Sequence, residues 1–224
     1  MKTSTSLNNK AAWPTLAATC LVCILGAAAL GQATMGYQLI STEDGRRLDI
    51  LRTPRRLPSA AIHHPYAATL EHMLDSDGRV AIVTFMYASC NAVCSVLGTE
   101  FQQMQAQILA RGVERQVRLV SISFDPRDDA ATLAAYGQRL HADPSVWQFA
   151  SIDRASERTA LLDAFGIVVL PAPLGEFQHN AAFHLIDRQG RLARIDDYDH
   201  PEQALEQALR LARQAAPDRH LASR

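Results

Sequence analysis

The sequence predicts an α/β domain, one sheet with helices on both faces, preceded by a single apolar helix long enough to cross a bilayer. Three observations lead there. No charged residue lies between Lys10 and Glu43. Two nearly continuous apolar, β-rich runs, Arg79–Tyr87 and Val117–Phe124, alternate with helical patterns. A hairpin signal then precedes an amphipathic closing helix. The 224 residues suit one ordinary domain plus an appendage. Lys plus Arg is 22 against 23 for Asp plus Glu, a net charge of −1 that offers no broad footprint for nucleic acid. A hydrophobic content of 48% excludes wholesale disorder.

The most apolar stretch runs from Ala11 to Gly36. Roughly 20 helical residues span the hydrocarbon core, so it reads as a retained anchor or as a cleaved signal peptide. Small residues at Gly31 and Ala33 offer cleavage spacing, but the run exceeds the usual signal core of about 7–15 residues, which favours the anchor. Lys2 and Lys10 flank one side; Arg46, Arg47 and Arg52, mixed with Glu43, Asp44 and Asp49, flank the other, so charge alone does not orient it. An N-terminal export signal favours the N-inside form: a single-pass bacterial inner-membrane protein with its domain facing the periplasm. Cys20 and Cys23 read as small apolar thiols within the helix. Thr19 and Val22 before them rule out a lipoprotein box.

The expected layout is a cytoplasmic tip and anchor (or signal peptide) over 1–36, a linker or irregular lead-in over 37–60, the domain over 61–215, and a frayed tail over 216–224. Asp44-Gly45, Thr53-Pro54 and Leu57-Pro58 mark the lead-in. Within the domain, Arg79–Tyr87 is a central strand. Val93, Leu97, Phe101, Met104 and Ile108 form a helical stripe ending at Gly112. Val117–Phe124 is a second buried strand stopped by Pro126. Asp128 and Asp129 open a helix through about His141. Trp147–Ile152 is a third strand, and Ser156–Phe165 a further helix. Ala181–Ile186 and Arg191–Ile195 form a hairpin around Asp187-Arg-Gln-Gly190. Pro201 opens the last helix, through about Arg213. This order matches a thioredoxin-like fold, a central sheet flanked by helices.

Chemistry concentrates at Cys90-Asn-Ala-Val-Cys94, just after the first central strand and at the start of a helix. First-turn amides and the helix dipole stabilise thiolates there. At a pKa near 8.5 only about 3% of a thiol is ionised at neutral pH, and a soft metal would complete deprotonation. The i, i+4 spacing lets both sulfurs chelate an ion or form a disulfide. Two inert buried thiols, or a purely structural disulfide, remain alternatives at this point. Four cysteines are too few for a disulfide scaffold, and no tandem zinc-finger spacing occurs.

Thr84-Phe-Met-Tyr-Ala-Ser-Cys90-Asn-Ala-Val-Cys94 resembles the C-x-x-x-C region of the Sco/SenC family. Val120-Ser-Ile-Ser-Phe-Asp125-Pro126-Arg-Asp128 resembles its second hallmark, a strand ending in Asp-Pro. His179-Asn-Ala-Ala-Phe-His-Leu-Ile-Asp187-Arg-Gln-Gly190 resembles its third, a histidine opening the strand before an Asp-x-x-Gly turn. The resemblance spans about residues 78–210. It implies a membrane-tethered thioredoxin-like domain that binds one copper ion, as Cu(I) or Cu(II), through Cys90, Cys94 and His179. Thiolates suit Cu(I), and imidazole suits either state. Asp125 is a candidate to line the site, or else a turn carboxylate before Pro126. The implied partner is the copper-receiving subunit of cytochrome c oxidase or another copper chaperone. The sequence departs from the family at Asn91 and Ser95, where proline usually follows each cysteine, and at Gln178, where an acidic residue often precedes the histidine. None of these supplies a ligand; they bear on loop stiffness and on tuning.

Two function classes follow: a copper-binding assembly factor without turnover, and a thiol–disulfide oxidoreductase working through Cys90 and Cys94. The longer spacer, and His179-Asn180 where a reductase places its cis-proline, favour the first. His184, five residues from His179, is expected to face the opposite side of the same strand. His63-His64 reads as an exposed polar pair, and His72, His141, His200 and His220 as surface residues. Met35, Met73, Met86 and Met104 read as packing.

Overall fold

A computed structural model describes residues 12–33, 42–64, 67–90 and 93–214. The expected cytoplasmic tip, the tail over 216–224, Met35 and His220 lie outside the described residues. The chain forms two compact units, residues 1–49 and 50–224.

In the first unit lies α1 (Ala12–Ala33), whose span Trp13–Gln32 has 20 residues, a mean hydropathy of 1.9 and no buried part. It is long and apolar enough to cross a membrane, as an anchor or a signal sequence would be. Cys20 and Cys23 are exposed on it. A second helix, α2 (Thr42–Arg52), begins in the first unit, ends in the second, and occupies part of the stretch expected to be irregular. Glu43 and Asp44 lie in its first turn and Arg52 in its last, the arrangement that complements the helix dipole. Arg46 and Arg47 both reach Glu43, at 2.8 and 3.1 Å. The interrupting Asp44-Gly45 pair therefore sits inside a helix that ion pairs reinforce.

The strands of the second unit are β1 (Arg55–Arg56), β2 (Ile62–His63), β3 (Val80–Met86), β4 (Val117–Ser123), β5 (Trp147–Ile152), β6 (Val169–Pro171), β7 (Phe177–His179), β8 (Ala182–Ile186) and β9 (Arg191–Asp197). Seven of them form one sheet in the order β1-β9-β8-β3-β4-β5-β2. Within it β3, β4 and β5 are parallel, and the other pairings are antiparallel. Helices α3 (Leu70–Asp75), α4 (Val93–Ala110), α5 (Ala130–Arg139), α6 (Ala155–Phe165) and α7 (Pro201–Arg213) supply the layers. All seven residues of β3 and of β4 are buried, as continuous apolar runs require.

Alternation along β3 divides the core in two. Ala81, Val83 and Phe85 join Leu74, Leu133, Leu161 and Phe165, contributed by α3, α5 and α6. Val80 and Ile82 join Leu97, Phe101, Met104, Leu205 and Leu209, contributed by α4 and α7. This is the thioredoxin-like plan that the element order predicts.

The two remaining strands, β6 and β7, form a separate hairpin closed by a 3-10 turn, Pro173–Gly175. It follows α6, which ends at Gly166 with φ 68, a left-handed cap that suits glycine. Sequence periodicity predicts no strand here. His179 therefore closes β7 rather than opening the strand that carries His184. The two histidines occupy different strands, and the alternation argument relating them does not apply.

Candidate metal centre

The loop after β3 is fixed by its own backbone and by one distant carboxylate. The Cys90 amide donates to the Tyr87 carbonyl at 3.2 Å, closing a turn. The Ala88 amide donates to Asp128 Oδ2 at 2.7 Å, and the same oxygen accepts the Ser123 hydroxyl at 2.6 Å. The sequence pattern assigns Asp128 and Asp129 together to a helix start. Only Asp129 caps α5, accepting the Thr132 amide at 2.8 Å. Cys90 is half-buried and packs against the core. Cys94 lies in the first turn of α4, which contains no acidic residue to oppose a thiolate. Asn91 and the side chains of Cys94 and Ser95 lie outside the described residues.

His179 reaches the same region from the hairpin, where it pairs with Val169. Its ring lies 5.0 Å from Phe124 and 6.4 Å from Tyr87. Nδ1 is 2.9 Å from the Asn180 carbonyl oxygen. A carbonyl only accepts, so Nδ1 carries the proton and Nε2 the lone pair, the tautomer of a metal-ligating histidine. Burial lowers the proton affinity of His179; the Asn180 carbonyl and the Cys90 sulfur act in the opposite sense without overcoming it. An imidazole beside a thiol suits a soft or borderline cation such as copper. Gln178 carries no carboxylate, and the Asn180 carbonyl fills the orienting role.

Tyr87 touches both sides. Its hydroxyl donates to Glu176 Oε2 at 2.5 Å and accepts the Phe177 amide at 3.2 Å. Its acidity falls because burial, the Glu176 carboxylate and the neighbouring Cys90 sulfur disfavour the phenolate, outweighing the Phe177 amide. Asp125 is buried, and its carboxylate is engaged by Arg127, with Nη2 at 2.6 Å and the Arg127 amide at 2.9 Å. Burial pushes this carboxyl up, but the Arg127 contacts outweigh that and hold it below the usual value. Arg127 continues to the Gly175 carbonyl at 2.9 Å, with its guanidinium 5.6 Å from the Phe177 ring centre. Asp125 thus makes the turn contacts of a carboxylate before proline and meets the hairpin through Arg127.

Sequence reasoning does not single out Tyr87, Arg127, Asp128 or Glu176 as site residues. Asp128 and Arg127 carry a signal, their place in the Asp-Pro-Arg-Asp run; Glu176 carries none. Among the other described histidines, His63 borders a small cleft with Asp125 and Asp128. His184 is buried, its Nε2 3.2 Å from the Phe165 carbonyl, among Phe85 and Phe165. His63 is exposed, 2.5 Å from Asp153. His200 is exposed, as expected of a surface histidine, and shares its corner with Asp197 and Asp199, where ligand atoms lie within 4.8 Å of one another. Met73, Met86 and Met104 are buried. A cavity of about 280 Å³ opens elsewhere, between α5 and β5, lined by Leu133, Gly137, Trp147 and Phe149 among others.

The sequence profile of the SCO1/SenC family matches residues 69–213. No curated protein matches the chain in sequence. Among solved structures, a SCO1/SenC family lipoprotein from Bacillus anthracis is 24% identical, with a TM-score of 0.60 over 72% of this chain and 99% of that one. BsSco, described as a Sco-family cytochrome c oxidase assembly protein with a disulfide switch, is 17% identical, with a TM-score of 0.60 over 73% and 96%. Yeast Sco1 with copper bound is 17% identical, with a TM-score of 0.57 over 76% and 96%. These likenesses establish a shared fold, and the profile match extends from α3 to the end of α7. The chain belongs to the SCO1/SenC family.

Proposed function

We propose that this protein is a membrane-tethered copper-binding assembly factor that delivers copper to the dinuclear copper site of cytochrome c oxidase. Residues 1–36 hold it in the bacterial inner membrane, and the domain over 61–215 works on the periplasmic side. Cys90 and Cys94 are the thiolate ligands of one copper ion and His179 the third, and the ion leaves by ligand exchange with the thiolates of a receiving subunit or chaperone. The observation that carries this reading is the meeting of Cys90 and His179 around Tyr87, with Nδ1 of His179 committed to a carbonyl. The copper held by yeast Sco1 supports it.

In this reading the chain's own groups do little chemistry and much positioning. The first turn of α4 favours Cys94 as thiolate. The Asn180 carbonyl holds the imidazole neutral and oriented. Asp128 keeps the loop bearing Cys90 in register with β4. A second reading, thiol–disulfide exchange through the same cysteines, is favoured by the disulfide switch described for BsSco.

The test is anaerobic titration of the full, reduced chain in detergent with Cu(I) against a competing chelator, beside Cys94→Ala and His179→Ala. One ion bound per chain, weakened at least about tenfold in each variant, is the expected result (about 1.4 kcal/mol). Unchanged affinity in His179→Ala removes the histidine from the site. Absence of competitive binding by the intact chain transfers the function to thiol–disulfide exchange.

A further inference from the structure

The hairpin that carries His179 is poorly secured by its own pairing. It consists of three residue pairs, Val169–His179, Leu170–Gln178 and Pro171–Phe177, and belongs to a two-stranded sheet separate from the main one. Such a pair of strands is marginal alone. Its outer side is open to solvent: Val168 is 59% exposed and Leu170 55%. Its turn is strained as well. Leu174 has φ 63, a left-handed conformation unfavourable for a side chain of its kind, and it is fully exposed, so no burial compensates. A conformation of this sort persists where neighbouring contacts over-determine it.

Those contacts come from the two loops of the proposed site. From one side, the Tyr87 hydroxyl bonds Glu176 at 2.5 Å and takes the Phe177 amide at 3.2 Å, while its ring packs edge-on to Phe177 at 5.2 Å. From the other, Arg127, anchored on Asp125, bonds the Gly175 carbonyl at 2.9 Å. Gly175 has φ 76, and a Cβ there would stand 3.2 Å from Arg127 Nη1, so glycine admits both the turn and the guanidinium. Both contacts fall on the residues between the strained turn and His179.

We infer that Tyr87, Glu176 and Arg127 are positioning residues: they clasp the hairpin onto the loops after β3 and β4, and this clasp sets how readily the His179 imidazole leaves the site. The inference rests on the copper-binding reading for its effect on the metal, but the clasp itself is measurable without metal. Opening it would swing one ligand away while both cysteines stay on the main fold. That is a route for handing over an ion by successive ligand exchange.

The test uses the full chain in detergent, as wild type, Tyr87→Phe, Glu176→Gln and Leu170→Thr. Tyr87→Phe keeps the ring but removes the hydroxyl, Glu176→Gln keeps a neutral acceptor, and Leu170→Thr alters only the outer side. In the metal-free protein, hydrogen exchange at the Phe177 amide should quicken about tenfold in Tyr87→Phe, which loses the half-buried bond at that amide and the bond to Glu176, with Glu176→Gln nearer wild type and Leu170→Thr unchanged. Loaded with Cu(I), Tyr87→Phe should release the ion to a chelator about tenfold faster; loaded separately with Cu(II), it should show weaker histidine nitrogen coupling in the paramagnetic resonance spectrum. Unchanged exchange at Phe177 overturns the clasp. Faster exchange with unchanged copper release and spectrum overturns its positioning role. If the intact chain binds no copper, the proposed function falls, and the exchange measurement still decides the clasp. Should Tyr87→Phe lower global stability, Glu176→Ala makes the same comparison from the hairpin side.

Discussion

The carboxylate of Asp128 accepts the Ala88 amide at 2.7 Å, tying the loop after β3 to the loop after β4. Forty residues separate the two in sequence, yet β3 and β4 run parallel and in register, Met86 opposite Ser123. Their C-terminal ends therefore emerge side by side, where open α/β sheets place their functional groups. Asp128 is 7% exposed and is the shared acceptor for the Ala88 amide and the Ser123 hydroxyl.

Asp128→Ala should consequently cost about 2 kcal/mol, because one buried donor and one half-buried donor lose a charged acceptor. Asp128→Asn, which keeps one acceptor oxygen, should recover part of the loss. Urea unfolding followed by circular dichroism measures both. A variant as stable as wild type would show that the loop does not depend on this carboxylate.

Arg127→Gln should make the domain more sensitive to acid. Asp125 is held below its ordinary value in the folded chain, so its contribution is present above the unfolded carboxyl value, about 3.9, and is lost as pH falls through the folded value. Without the guanidinium, burial is opposed only by the residue-127 amide and the charge of Arg158, so the folded value rises. The acid-unfolding midpoint of Arg127→Gln should therefore lie at higher pH than that of wild type. A coincident midpoint in an acid titration would contradict the pairing.

Gly137→Ala offers a test of close packing. A Cβ on this helical residue would stand 2.9 Å from Phe149 Cε2, and Phe149 is stacked on Trp147 with ring centres 5.1 Å apart. Alanine gains about 1 kcal/mol of helix propensity but must displace a ring held on its other side, an overpacking cost of about 1–3 kcal/mol. Net destabilisation is expected by thermal unfolding, whereas a rise in Tm would show that Phe149 moves aside freely.

Phe101→Ala should lose about 3–5 kcal/mol, since its ring is fully buried between Trp147 at 5.5 Å and Phe183 at 5.7 Å. Leu109→Ala on the same helix, 44% exposed, should change stability by no more than about 0.5 kcal/mol. Equal effects of the two in chemical denaturation would place the core elsewhere.

The long elements are legible in the sequence. β3 and β4 announce themselves as unbroken apolar runs, and Val93, Leu97, Phe101, Met104 and Ile108 mark α4. Of these, Leu97, Phe101, Met104 and Ile108 are buried on one side of that helix. The start of α7 at Pro201 follows from proline's fixed φ. By contrast, α2 is obscured by Asp44-Gly45, whose low helix propensity is offset by the Glu43 ion pairs. The β6–β7 hairpin is invisible to sequence patterning because strands of three residues, interrupted by Pro171 and Pro173, carry no period to detect. Expecting His179 on the strand of His184 is the direct consequence.

By itself, then, the sequence determined the apolar N-terminal helix, the alternation of strand and helix, and the residue types at the end of β3, because burial and spacing write themselves into local periodicity. Only the tertiary structure decided which groups meet Cys90 and His179. Tyr87 and Glu176 are 89 residues apart, Arg127 and Gly175 48, and Ala88 and Asp128 40. Each contact depends on how parallel strands and a separate hairpin bring loop ends together, and no local pattern encodes a distance across the fold.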